Sequence, residues 1–134
     1  MGEHDLILHA NCVAFAGKGV LITGPSGSGK SSLALQLMAF GARLVADDRT
    51  VLCLTQGRIV ARAPVAIAGL IEARGVGILT IDHLAAVDLV LTVDMGQIET
   101  ERLPQPHDMT VLDISLPCLH KVDAPYFPAA ILAY

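Results

Sequence analysis

Apolar residues in this chain arrive in short runs broken by glycine, proline or acidic positions, a rhythm of strands more than of long helices. Leu6 to Phe15 reads as one or two extended segments, Gly17-Lys18-Gly19 as a tight turn, and Val20-Leu21-Ile22-Thr23 as a buried strand running directly into Gly24. The period then changes. From Ser31 to Phe40, Leu33, Leu37 and Phe40 recur at helical spacing among good helix formers, and Gly41 supplies a C-terminal stop. Arg43 to Ala46 predicts a strand ending at Asp47-Asp48. Thr50 to Leu54 and Arg58 to Ala63 predict a hairpin about Gln56-Gly57.

Downstream the signals are weaker. Pro64 to Gly77 reads as a Gly- and Pro-bearing loop before a strand at Ile78 to Ile81, and Asp82 as the cap of a short turn through Leu84 to Ala86. Asp88 to Met95 is a further strand, Leu103 to Asp108 a loop, Met109 to Leu116 a single extended segment, and Pro128 opens a short helix ending at Tyr134. Strands outnumber helices, and hairpins interrupt strict strand-helix alternation. The expected fold is therefore one α/β domain over residues 1–134 with a mixed sheet and packed helices.

Composition narrows the function. Of 134 residues, 53% are hydrophobic, enough for a core, and only 16% are charged. The net charge of −4, with scattered Lys and Arg, lacks the basic face of a nucleic-acid binder. Apolar runs such as Val87 to Val93 break well short of the ~18–20 residues of a membrane helix. Glu3, His4 and Asp5 at the start do not resemble a secretory signal, so the cytoplasm is expected. Cys12, Cys53 and Cys118 are too far apart for a zinc motif and read as buried thiols of a reducing compartment.

The run Gly24-Pro25-Ser26-Gly27-Ser28-Gly29-Lys30-Ser31 satisfies G-x-x-x-x-G-K-[ST] between a strand and a helix. Its glycines let backbone N–H groups turn toward phosphate oxygens, and the helix that follows presents unsatisfied amides. Lys30 supplies a point charge for the β and γ phosphates, and the Ser31 hydroxyl a magnesium ligand. ATP or GTP with Mg²⁺ is the natural ligand, but no Asn-Lys-x-Asp segment for reading guanine is present. Two strand ends offer the carboxylates that phosphoryl transfer needs, Asp47-Asp48 and Asp94, and local pattern does not choose between them. Glu72-Ala73-Arg74-Gly75-Val76-Gly77 places charges beside glycines within apolar surroundings, as in a loop that approaches a ligand closely.

Taken together, Gly19 to Gly24 leading into the phosphate loop, Arg43 to Arg49 after its helix, and Ile71 to Ile78 resemble, in the same order, the signatures of the bacterial HPr kinase/phosphorylase family, in its C-terminal catalytic domain. The likeness covers roughly residues 6 to 82. It implies a P-loop kinase fold like that of phosphoenolpyruvate carboxykinase. It also implies ATP-dependent phosphorylation of a serine on the phosphocarrier HPr, within the phosphotransferase system, with phosphorolytic reversal in many members. By position, the resemblance gives Gly24 to Ser31 and Ser32 to the nucleotide and Lys30 to phosphate. Ser31 and Glu72 would serve magnesium, and Asp47 and Asp48 form the acidic pair, with Asp47 favoured as base. His9 would be the catalytic-site histidine. A homo-oligomer, a hexameric ring in the family, is implied as well.

The chain also departs from the family. The N-terminal domain of longer relatives is absent from this sequence, so a compact catalytic core is expected, and no arginine follows Arg102; Lys121 is the stand-in for the family's C-terminal arginine. Alternative readings are an ATP-binding regulatory sensor without turnover and a small-molecule P-loop kinase.

Overall fold

The computed structural model describes residues 5–134; the acidic start at Glu3 and His4 lies outside them. The elements run β1 (Leu6–Leu8), β2 (Asn11–Phe15), β3 (Lys18–Thr23), α1 (Lys30–Ala39), β4 (Arg43–Ala46), β5 (Thr50–Thr55), β6 (Arg58–Arg62), β7 (Leu70–Ala73), β8 (Gly77–Thr80), β9 (Val87–Ile98), β10 (His107–Val111), β11 (Ile114–Lys121) and α2 (Phe127–Ala133). The sheet is mixed, with the order β1-β5-β6-β9-β3-β2-β4, and β11 joins it on β9 while pairing with β10. Its hub is β9. This strand runs antiparallel to β6 at its start, parallel to β3 as far as Asp94, and parallel to β11 between Thr92 and Ile98.

Alternation along the central strands builds a core on each face, because successive side chains point to opposite sides of a sheet. Cys12, Ala14, Leu21 and Val45 pack with Leu52, Ile59 and Leu89 on one side. Val13, Val20, Ile22 and Leu44 meet Leu33, Leu37, Ile71 and Val93 on the other, where α2 adds Phe127 and Ile131. Helix α1 lies on that second face with Leu33, Ala34 and Leu37 buried. Phe40, expected on the buried stripe, caps the helix end instead and is largely exposed. Pro128 falls in the first turn of α2, where its missing N–H costs nothing.

Three two-residue hairpins share one backbone solution, with φ positive at both turn positions as a type I′ turn requires. They are Ala16-Gly17, Gln56-Gly57 and Leu112-Asp113. The first sits one residue earlier than the expected Gly17-Lys18-Gly19 turn, and Lys18 and Gly19 belong to β3. The third divides the expected single segment Met109–Leu116 into β10 and β11. Two other expectations change. The stretch read as a loop from Pro64 holds a 3₁₀ turn at Val65–Ile67 and strand β7, which pairs antiparallel with β8. The capped turn expected over residues 82–86 is replaced by an isolated bridge from His83 to Leu44.

Cys12 and Cys118 are buried, while Cys53 is only partly so. Burial raises the Cys12 thiol far above its ordinary value, which keeps it a neutral core side chain. No helix among the described residues is long and apolar enough to cross a membrane.

Candidate active site

Strand β3 ends at Thr23 and delivers the chain into a tight loop that α1 closes. Gly24 takes φ 142°, and a Cβ there would lie 2.6 Å from the Ser28 Oγ and 3.1 Å from the Gly96 N. Only glycine fits that approach of the loop to β9. The residue before α1, Gly29, is left-handed (φ 97°) and provides no side-chain cap, so the first-turn amides of the helix are not engaged by a capping side chain. Lys30, almost fully buried, donates from Nζ to the carbonyls of Gly24 (2.7 Å) and Pro25 (3.1 Å). From the other side, Lys121 at the end of β11 reaches the Ser28 carbonyl at 3.4 Å.

The loop borders a cavity of about 310 Å³ whose walls include Ser26, Gly27, Gly29, Lys30, Ser31 and Ser32. Facing them are His9, Asn11 and Asp48 from the β1–β2 and β4–β5 junctions, and Glu72 and Arg74 from β7 and the turn after it. In β7 the alternation buries Ile71 and Ala73, so Glu72 and Arg74 are the exposed positions that border the cavity.

The adjacent acids have different environments. Asp47 is buried: its Oδ1 accepts from Ser31 Oγ (2.8 Å) and Asn11 Nδ2, and its Oδ2 from the Glu72 N–H (3.0 Å). Asp48 is exposed at the cavity and pairs with His9 Nε2 at 2.6 Å. Its backbone is left-handed (φ 68°) at the centre of a three-residue turn closed by the Arg49 N–H on the Asp47 carbonyl, 2.7 Å away. Such turns are rare and strained, and strain of this kind concentrates at working sites. Asn11 holds the pair together. Fully buried, it donates to Asp47 and Ser31 and accepts the Asp48 N–H at 3.1 Å.

Asp94, the rival carboxylate, stands opposite Thr23 in the β3–β9 register but turns back to its own strand, accepting the Gly96 N–H at 2.8 Å. It is not among the cavity walls. The expected residues His9, Lys30, Ser31, Asp48 and Glu72 therefore share one cavity, with Asp47 directly behind Ser31. Asn11 and Arg74 are members that the sequence reading did not single out as site residues. A polar residue inside the apolar strand Asn11–Phe15 was the available signal for the first. For Arg74 it was the strand alternation with Glu72.

The donors fit a phosphate chain and a hard cation. Ser31 and Glu72 offer oxygen ligands near Lys30, a donor set suited to Mg²⁺. Ser28 Oγ is buried with no partner among the described residues, a polar atom left available inside the loop.

Residues 3–115 match the family model of the HPr serine kinase C-terminal domain. The chain is 41% identical over 86 residues to the HPr kinase/phosphorylase of Clostridium tetani, covering 64% of this chain and 28% of that protein. With the Limosilactobacillus reuteri protein of the same name it shares 42% over 88 residues, covering 65% and 28%. It thus spans little more than a quarter of the length of these curated relatives. Its fold matches the solved HPr(Ser) kinase/phosphatase of Coxiella burnetii at a TM-score of 0.80 and 25% identity, over 96% of this chain and 87% of that one. With the phosphate loop, the acidic pair and the Glu72 segment arranged as described, the chain belongs to the HPr serine kinase C-terminal domain family.

Proposed function

We propose that this domain is an ATP- and Mg²⁺-dependent protein-serine kinase acting on an HPr-like phosphocarrier of the phosphotransferase system. The observation that carries the reading is Asp48, an exposed carboxylate held by His9 on a cavity wall shared with Lys30 and Ser31. ATP would supply the phosphoryl group, and a Mg²⁺ ion held by Ser31 and Glu72 would supply charge neutralisation for its transfer. Lys30, the uncapped amides of α1 and the loop backbone bind the phosphates, while Ser31 and Glu72 hold the ion. Asp48 takes the proton of the acceptor serine, and His9 orients that carboxylate. Asp47 positions Ser31 and ties it to β7 through the Glu72 N–H. In this reading the role of base goes to Asp48 in preference to Asp47, favoured on the sequence, on the ground that the buried Asp47 already accepts three hydrogen bonds. Lys121, next to the phosphate loop, takes the place of the arginine of longer relatives.

Catalysis in such a site comes mainly from positioning and charge neutralisation. The same carboxyl returned to its protonated form serves the phosphorolytic direction. The reading includes a cytoplasmic homo-oligomer, for which the exposed Val76 and Ile78 of the β7–β8 hairpin offer apolar area.

Incubation with γ-labelled ATP, Mg²⁺ and purified HPr is the test. Label on an HPr serine is the expected result. Tight nucleotide binding without transfer overturns the kinase reading and leaves a nucleotide sensor.

A further inference from the structure

Outside the cavity, Glu99, His107 and His120 converge from three separate positions: the residue after β9, the first residue of β10 and the last but one of β11. One ligand atom from each lies within 4.8 Å of the others. Their placement is set by the backbone. The Glu99 N–H donates to the Lys121 carbonyl at 2.9 Å, and the β10–β11 register sets His107 opposite Cys118, two residues before His120. Glu99 Oε1 lies 2.8 Å from His107 Nε2, and the two imidazoles stack at 3.8 Å with planes 8° apart. The second oxygen, Oε2, accepts the N–H groups of Thr100 and Glu101, each at 3.0 Å. These donors, Glu101 foremost and then His107, lower the Glu99 carboxyl below its ordinary range.

We propose that Glu99, His107 and His120 form a binding site for a divalent transition metal of the Zn²⁺ class, separate from the magnesium ligands at the phosphate loop. Two imidazoles and a carboxylate suit zinc and its neighbours, whereas magnesium prefers oxygen alone. Bonds of roughly 2.0–2.2 Å to a tetrahedral ion bring ligand atoms to about 3.4 Å from one another. Closing the gap requires a histidine ring to turn, and the ion takes the place of the proton now shared by Glu99 Oε1 and His107 Nε2, which is released to solvent. The two backbone donors on Oε2 stay in place and orient the carboxylate, as outer-shell partners of metal ligands do. Water takes the fourth position. The ion would join the end of β9 to both strands of the β10–β11 hairpin.

The site adjoins Lys121, whose side chain reaches the Ser28 carbonyl of the phosphate loop. His120 precedes Lys121, and the register of β11 against β9 shifts between these two residues, from Asp94 to Ile98. Metal on His120 steadies the irregular strand end that carries Lys121 to Ser28. That consequence rests on the kinase reading; metal binding does not.

The experiment is a titration of the chelator-stripped full chain with Co²⁺ in excess Mg²⁺, read by visible absorption. The expected result is one equivalent bound with the intense bands of a four-coordinate, imidazole-ligated ion. His107→Ala and His120→Ala abolish them, and Glu99→Gln weakens binding about tenfold or more. Zn²⁺ should raise the melting temperature of the unaltered chain and raise that of Glu99→Gln by clearly less at the same concentration, a readout that survives if a histidine variant fails to fold. The weak spectrum of an oxygen-coordinated ion, or unchanged binding in folded histidine variants, overturns the proposal. No phosphocarrier is involved, so failure of the kinase assay and failure of this one are separate results.

Discussion

Residues 9–48 and residues 99–121 both bring polar side chains from several strands to one place, but by different routes. In the first region the parts sit at the ends of consecutive elements: His9 before β2, the loop between β3 and α1, and Asp47-Asp48 after β4. The loop and the acidic pair each have a local backbone reason to be where they are, in glycines at positive φ, an uncapped helix start and a strained turn. In the second region Glu99, His107 and His120 meet only through strand pairing and a hairpin turn without glycine. Geometry written into short segments is open to reading from sequence. Geometry that depends on the register of distant strands is not.

The largest expected effect divides the two carboxylates within the first region. Asp48→Asn should lower phosphoryl transfer to HPr by about 10²–10⁴-fold, the usual worth of a positioned general base. Its stability should change by less than about 0.5 kcal/mol, since the side chain is exposed and asparagine tolerates the left-handed backbone. Steady-state kinetics beside thermal melts measure both. Unimpaired transfer would return the role of base to Asp47.

Asp47→Ala should do the converse. Its removal takes away the acceptor of the Ser31 hydroxyl and the Glu72 N–H, and leaves the buried Asn11 amide with only its longer bond to Ser31. Losing an acceptor that serves several donors costs about 1–3 kcal/mol. Chemical denaturation should therefore show lower stability, and Mg²⁺-nucleotide affinity should fall because Ser31 is no longer oriented. A stable Asp47→Ala protein with normal affinity would show that the Asn11 network is incidental.

This contrast also explains which parts were legible. The helix at Ser31 to Phe40, the phosphate loop and the Gln56-Gly57 hairpin carried glycines at the positions where their backbones need them, and the structure has all three. Asp47 and Asp48 were visible as a pair, but their division was not, because it depends on Asn11 reaching them across strand pairing from β2 to β4. Strand β7 was hidden by the glycines and proline around it, although its Ile71 and Ala73 alternate with Glu72 and Arg74. Phe40 had the right period and the wrong position, one residue past the last turn of α1.

The smallest effect tests the second region at its hidden turn. Leu112 and Asp113 hold φ at 48° and 65°, a left-handed pair that glycine or asparagine would adopt more easily. Leu112 stays because it packs against the β5–β6 side of the core, whereas Asp113 is exposed. Asp113→Gly relieves the backbone strain but gives the unfolded chain more freedom to lose, so only part of the relief survives as stability. The net gain should be about 0.5 kcal/mol, seen as a rise of roughly 1–3 °C in the thermal midpoint. A loss would mean that the turn is not left-handed at this position. The β10–β11 register would then differ, and His107 would no longer be set two residues out of step with His120.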